Sequence, residues 1–413
     1  MESTILAELK EKKTLDDKKL SMAIMSSTVI LTIQYFFLVV LGLMDTSTGS
    51  ILQTFSKVVV ATIFLYTFPI VLKEHKMKLL ITYFVSVFIL LSHFLFFSNN
   101  RQYIEEILFP FFFMCLPVFV YAVSLKDWSI LKRVMRKASV IVFVCGFFLT
   151  LTIFTGIAKI DNYSMAFSYY MLLPSILFID ELLDRFSIKA IFISSVSVVS
   201  ILAIGSRGAL LCIAVFIILK LIDPTAPKRM SKVRGFFICA FISIAAFTLV
   251  NLQTILLFLY KWLMQFGLSS RSLKLLMSGD VYLSGRDDIY GKVLAVIRDN
   301  PILGVGITGD RALLNGTYSH NIFLEILVNY GVLIGSFVII FLFTLIVGIF
   351  FVKDPMTYNL SIIWISIGFV SLFVSGSYLT DLSFWTFLGV MLSAYFFKGK
   401  RELSDDAVVM ESE

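Results

Sequence analysis

The chain is a succession of apolar runs, each near the length of a membrane-crossing helix, joined by short polar segments. A spanning helix needs about 20 apolar residues, and about twelve runs qualify: 20–44, 50–72, 77–97, 103–124, 138–158, 164–181, 187–205, 208–222, 234–263, 321–352, 359–378 and 381–397. In lipid every backbone N–H and C=O must be satisfied internally, which leaves helices and closed barrels as the spanning structures. Runs of this length predict an all-α polytopic membrane protein. The composition fits: 58% hydrophobic, 15% charged and 42 Phe, with a mean hydropathy of +0.92. An ordinary soluble chain is about half apolar and about a quarter charged.

Lys and Arg choose the orientation, because cytoplasmic loops carry the basic excess. On one side lie Lys10, Lys12, Lys13, Lys18 and Lys19, then Lys73, Lys76 and Lys78, then Lys126, Lys132, Arg133, Arg136 and Lys137. Arg185, Lys189, Lys220, Lys228, Arg229, Lys232, Arg234, Lys353, Lys398, Lys400 and Arg401 follow on that side. The short joints on the other side hold only Arg101, Lys159 and Arg207. The alternation predicts cytoplasmic termini: a segment 1–19, a membrane domain 20–397 and a tail 398–413. The formal net charge of +7 sits mainly in these loops, so it does not point to nucleic acid. The first apolar run is too long for a signal-peptide core and lacks a small-residue cleavage site, so it reads as a retained anchor. Cys115, Cys145, Cys212 and Cys239 are scattered through apolar runs and read as packing residues rather than a disulfide or metal framework.

One joint is different. Residues 264–320 form a long polar loop, extracytoplasmic in this topology, that carries Arg286 and His320; Arg207 lies on the same side, in a short turn. Within the loop, Ser284 to Asp287 has the spacing of a helix cap. The following Asp287–Arg298 stretch sets Ile289, Val293, Val296 and Ile297 on one face, and Asn300-Pro301 ends it. Beyond His320, Asn321, Glu325 and Asn329 recur every four positions in an otherwise apolar helix. Such a stripe must face protein or water. It serves either helix–helix hydrogen bonding, with Gly331 and Gly335 at small-residue spacing, or the wall of a substrate cavity. The run is too long for one straight span, so a break is expected near Gly331.

Singly, these residues say little. An interfacial arginine such as Arg207 snorkels to headgroups by default, and a lone Arg286 is more often a surface residue than a site. Of the three histidines, His75 and His93 read as structural, and the set is too dispersed for a metal site. Jointly they say more. Two guanidinium groups can each grip phosphate oxygens bidentately, and an imidazole can take a proton from a hydroxyl. That combination suits displacement at a sugar carbon with a diphosphate leaving group, the arginines taking the place of a divalent metal.

Four stretches in series carry a resemblance: Gly205-Ser-Arg-Gly-Ala-Leu-Leu211, Ser284-Gly-Arg-Asp-Asp-Ile-Tyr290, Asn300-Pro-Ile-Leu-Gly-Val-Gly306, and Ser319-His-Asn-Ile-Phe-Leu-Glu325 followed by Tyr330-Gly331. In order, spacing and topology the chain resembles the bacterial O-antigen ligase and repeat-unit polymerase superfamily. The resemblance implies a GT-C-like, metal-independent glycosyltransferase without cofactor, in the bacterial cytoplasmic (inner) membrane, with its site on the outer face. Arg207 and Arg286 would bind the diphosphate of an undecaprenyl-diphosphate-linked glycan donor. His320 would orient or deprotonate the acceptor hydroxyl, or stabilise the departing charge. Asn321 and Glu325 would contribute to substrate binding.

The implied partners are the lipid-linked donor, a glycan or envelope acceptor, membrane lipid, a flippase and a chain-length regulator. The motifs do not separate a polymerase, which joins repeat units into capsule, exopolysaccharide or O-antigen, from a ligase, which moves finished glycan to an acceptor. The Lys-, Ile- and Phe-rich composition and the Leu324-Glu-Ile-Leu-Val-Asn-Tyr-Gly331 stretch resemble capsule or exopolysaccharide polymerases more than ligases. A lipid-linked oligosaccharide transporter or flippase is the rival from another class. Transporters show internal repeats and mid-membrane charges, whereas this chain has no evident repeat and an elaborated outer loop.

Overall fold

A computed structural model describes residues 2–155, 165–204, 206–225, 252–265 and 286–396. Among them every regular element is helical and no strand occurs. Among the described residues seven stretches are long and apolar enough to cross a membrane: Glu11–Val40, Ser47–Glu74, Lys76–Phe96, Ser98–Ser124, Trp128–Thr152, Ile322–Phe351 and Pro355–Phe373.

These contain helices α1 (Glu2–Val40), α2 (Ser47–Glu74), α3 (Lys76–Phe96), α4 (Arg101–Pro110), α5 (Leu116–Ser124) and α6 (Trp128–Phe154). The other predicted runs take shorter forms. The 164–181 run is split by a turn at Met171 into α7 (Met165–Tyr170) and α8 (Leu172–Asp184). The next two become α9 (Ile188–Ile204) and α10 (Arg207–Leu221). The 234–263 run lies mostly outside the described residues, with only α11 (Leu252–Gln265) within them. The polar loop contains α12 (Arg286–Asp299) and α13 (Gly309–Leu313), while 266–285, with the predicted cap at Ser284, lies outside the described residues. The chain closes with α14 (Ile322–Gly348), α15 (Pro355–Trp364) and α16 (Leu382–Phe396).

Local chemistry sets several boundaries. The Thr46 hydroxyl accepts from Gly49 N at 3.0 Å to cap α2, and Asp354 accepts from Thr357 N at 2.8 Å to cap α15, whose first residue is proline. Pro110 cannot donate to its helix, and α4 passes through a π-turn (Phe111–Cys115) into α5. α15 likewise continues through a π-turn (Ile365–Phe369) into a 3-10 turn (Val370–Phe373).

The 355–373 stretch is the most enclosed of the seven, and Lys76–Phe96 is the least. The core between them contains Tyr121, Phe167, Phe178, Phe216, Tyr358, Phe369 and Phe387, all nearly inaccessible. The two tyrosine hydroxyls among them are satisfied: Tyr121 donates to Phe64 O at 2.5 Å and Tyr358 to Leu219 O at 2.8 Å. α10 packs beside the 355–373 stretch.

Candidate functional site

The site is organised by a break in α14. Gly331 has φ +74° and ψ 174°, as the length of the apolar run predicts. The Asn300–Ile307 loop lies across the break as a backbone clamp. Val305 N donates to Val328 O at 2.8 Å, Gly306 N to Asn329 O at 3.1 Å and Val332 N to Pro301 O at 2.6 Å. These bonds satisfy groups that the interrupted helix leaves open. A Cβ on Gly331 would lie 2.4 Å from Ile302 O, and one on Gly304 2.5 Å from Gly331 N. Only glycines allow the two backbones to approach so closely.

His93, read from sequence as structural, accepts from Ile307 N at its Nδ1, 2.9 Å away. Asn100 Nδ2 donates to Val305 O at 2.8 Å and to Ile307 O at 3.0 Å. The clamp is thus anchored on the end of α3 and the turn after it.

The start of α14 presents the sequence-predicted residues. Asn321 is its N-cap, accepting from Phe323 N at 3.0 Å and Leu324 N at 3.2 Å, while its Nδ2 donates to Phe373 O at 3.3 Å. His320 precedes it at φ +55°, in the left-handed region, with its ring centroid 4.3 Å from that of Tyr318. This turn hangs from Asp310, whose Oδ2 accepts from Ser319 N at 3.0 Å. Glu325, one turn into the helix, is fully buried and accepts from Ser377 Oγ and from Tyr378 N. Arg311 Nη2 donates to the same Ser377 hydroxyl at 3.2 Å, and Asn329 Nδ2 to Tyr378 Oη at 3.2 Å. The polar stripe therefore ties α14 to residues 373–378, the joint before α16.

Arg286 opens α12, whose Val293 and Ile297 pack on Val328 of α14, with Ile289 and Val296 against the same cluster. The predicted amphipathic face is the one that docks. Arg286 bears directly on His320: burial drives the imidazole pKa down and the nearby guanidinium adds to it, to about 4. The ring is neutral at pH 7. Burial raises Asp310, with the Ser319 N–H and Arg311 working against it.

Arg207 is exposed at the first residue of α10 and makes no ion pair among the described residues. The next residue, Gly208, packs so closely that a Cβ would lie 2.2 Å from Tyr169 Oη and 2.5 Å from Val374. α10 lies along the Val370–Phe373 turn from which Asn321 hangs. Gly208 and Asn321, the neighbours of Arg207 and His320, thus both contact the 370–374 turn, and Arg286 acts electrostatically on His320.

Four buried polar atoms here lack a protein partner among the described residues: His320 Nδ1, Asp310 Oδ1, Arg311 Nε and Asn329 Oδ1. Beside Tyr378 an apolar groove of about 500 Å³ opens between α3, α14 and α16, lined by Ile307, Ile326, Tyr330 and Leu388 among others.

Sequence reading missed Asp310, Arg311, Ser377 and Tyr378. The first two are an ordinary charged pair inside a long loop. The last two lie in a joint that hydropathy treats as a bare gap between runs. None has a periodic or motif signal of its own.

Residues 192–340 match the family model described as O-antigen ligase. The matched stretch begins in α9, contains Arg207, Arg286, His320, Asn321, Glu325 and the Gly331 break, and ends in α14. It supports the resemblance to the O-antigen ligase and polymerase superfamily, whose members are glycosyltransferase-like enzymes acting on lipid-linked glycans. No curated protein matches the chain.

Proposed function

We propose that the chain is a polymerase that joins undecaprenyl-diphosphate-linked repeat units into surface polysaccharide at the outer face of the cytoplasmic membrane. The observation that supports this reading is a half-buried His320 whose pKa burial and the charge of Arg286 lower, at a turn that packs on the 370–374 segment next to the start of α10, where Arg207 lies. In the proposed step an acceptor hydroxyl oxygen forms a bond to the anomeric carbon of the donor. The bond from that carbon to the diphosphate oxygen breaks, and the lipid diphosphate leaves with the electron pair. The hydroxyl proton passes to the His320 imidazole, which is free to accept it because it is uncharged. Arg207 and Arg286 hold the diphosphate, whose charge grows as the bond breaks. The apolar groove beside Tyr378 is suited to a stretch of the polyprenyl tail.

Lysine offers no bidentate fork, so Arg207→Lys and Arg286→Lys are expected to lose most activity. Full activity in both would remove the diphosphate clamp. The arginines stand in for a divalent ion in this scheme, so chain extension is expected to persist in excess chelator.

A ligase that transfers finished glycan to an envelope acceptor is the second reading, favoured by the description of the matched family. A length profile of surface glycan after gene deletion separates the two, with wild type or His320→Ala supplied back. If single repeats reach the final acceptor while the long ladder is lost, the chain is a polymerase. Long chains stranded on the carrier lipid make it a ligase. Restoration by His320→Ala would rule out both mechanisms.

A further inference from the structure

A second polar site lies at the opposite end of the bundle. α10 starts at Arg207 and carries Lys220 in its last turn, about 20 Å away at 1.5 Å per residue. There Lys220 Nζ meets Asp180 Oδ1 at 2.7 Å and Asp184 Oδ1 at 2.9 Å, and Lys132 Nζ meets Asp180 Oδ2 at 2.8 Å. Glu181 is shared in the same way, between Arg136 and Arg185, the latter at 2.9 Å. Between α6, α8 and the start of α15 all of these groups except Lys220 border a cavity of about 410 Å³, with Leu177 and Met356 on its apolar wall.

The cavity has more cations than carboxylates. Arg133, exposed and lining it, has no partner among the described residues. Arg136 and Arg185 each give Glu181 one hydrogen bond. A guanidinium has five N–H donors, so both retain donors for a further acceptor. Immediately after Arg185, Phe186 and Ile188 are 81% and 76% exposed, which sets an apolar edge beside the charged wall. In the orientation that the basic loops predict, this end meets the cytoplasmic leaflet, where anionic lipid headgroups concentrate.

We infer that this cavity binds a phosphate-bearing anion through Arg133, Arg136 and Arg185. The phosphate belongs to an anionic phospholipid of the adjacent leaflet or to a soluble phosphate compound on that side. The apolar edge at Phe186 and Ile188 favours the lipid. The inference stands apart from glycosyl transfer and uses none of its residues.

The test is thermal unfolding of the full chain in neutral detergent, titrated with phosphatidylglycerol, with phosphatidylcholine, or with ADP. Parent protein is compared with Arg133→Ala/Arg185→Ala. A ligand that binds only the folded chain raises Tm in a saturable way. The expected result is a saturable rise with phosphatidylglycerol, none with phosphatidylcholine, and roughly tenfold weaker apparent binding in the double variant. If ADP and not phosphatidylglycerol gives the variant-sensitive rise, the source is the soluble compound. The inference fails if neither anion raises Tm, or if the double variant and the parent respond alike. Should the double variant not fold, Arg133→Gln alone removes an unpartnered side chain and is expected to weaken binding in the same direction. An unchanged titration in that variant overturns the inference.

Discussion

The two halves of α14 are one apolar run by hydropathy and two different objects in the fold. Before Gly331 the helix buries Ile322, Glu325, Ile326, Val328 and Asn329 against protein. After it, Val332, Leu333, Ile334, Phe337 and Ile340 are exposed on the outer face of the bundle. The first half takes its tertiary hydrogen bonds from the 373–378 joint and the clamp loop, while the second leaves a broad apolar surface suited to lipid. Apolarity puts the segment in the membrane. Two polar side chains and one glycine decide which part of it can organise a site.

The largest effect is expected where the halves meet. Gly331→Ala forces a side chain into a conformation that costs about 1–3 kcal/mol on its own. Its Cβ would also sit 2.4 Å from a backbone oxygen that cannot move without opening the clamp. A total loss of at least about 3 kcal/mol is expected, read as a collapse in Tm and in yield of the detergent-solubilised protein. A Tm within a degree or two of the parent would mean that the break does not hold the two halves apart.

Glu325→Ala comes next. It leaves the Ser377 hydroxyl and the Tyr378 N–H without their acceptor in a fully buried place. Each such group costs about 1–3 kcal/mol. Glu325→Gln keeps an acceptor oxygen and is expected to cost clearly less in the same unfolding experiment. Equal losses in the two variants would show that the polar stripe is not what fastens this half to the 373–378 joint.

Much of this contrast was legible in the residues. The period of Asn321, Glu325 and Asn329, the excess length of the run and Gly331 together predict a polar half and a break, and the structure has both. The face of Ile289, Val293, Val296 and Ile297 also docks as its spacing requires. The number of spans was less legible. A hydropathy run does not say whether its helix is continuous, and the 164–181 run is divided at Met171. The partners of the stripe were not legible at all. Asp310, Arg311 and Ser377 matter because α13 and the 373–378 joint fold back on the start of α14. Contacts between such distant positions leave no periodic trace in one sequence. The same holds for His93, whose role in seating Ile307 comes only from the packing of α3.

A smaller effect sharpens the contrast at the head of the polar half. The folded His320 pKa, about 4, lies below the ordinary 6.5. The unfolded chain therefore takes up this proton first as pH falls, and stability linked to His320 is lost between about 6.5 and 4 and is flat above. If the neutral ring takes the acceptor proton, glycan extension in membrane vesicles holds steady from pH 8 to about 5 and falls toward 4. Burial is the larger cause of the depression and Arg286 the smaller, so Arg286→Gln is expected to move the acid limb up in pH by part of the gap. An acid limb that stays put, or moves down, would separate Arg286 from His320.

The smallest effect belongs to the other half. Phe337 is 67% exposed, and lipid tails are as apolar as the side chain they touch, so cutting it back exchanges one apolar contact for another. Phe337→Ala is expected to shift stability by no more than about 0.5 kcal/mol. Ile326, one turn before the break, is 1% exposed. Ile326→Ala removes packed volume from the protein side and is expected to cost about 2–5 kcal/mol. The pair is measured side by side as unfolding midpoints in one detergent. If Phe337→Ala costs as much as Ile326→Ala, the second half packs on protein rather than lipid. Cross-linking from position 337 would then identify what covers it, a second copy of this chain being the simplest candidate.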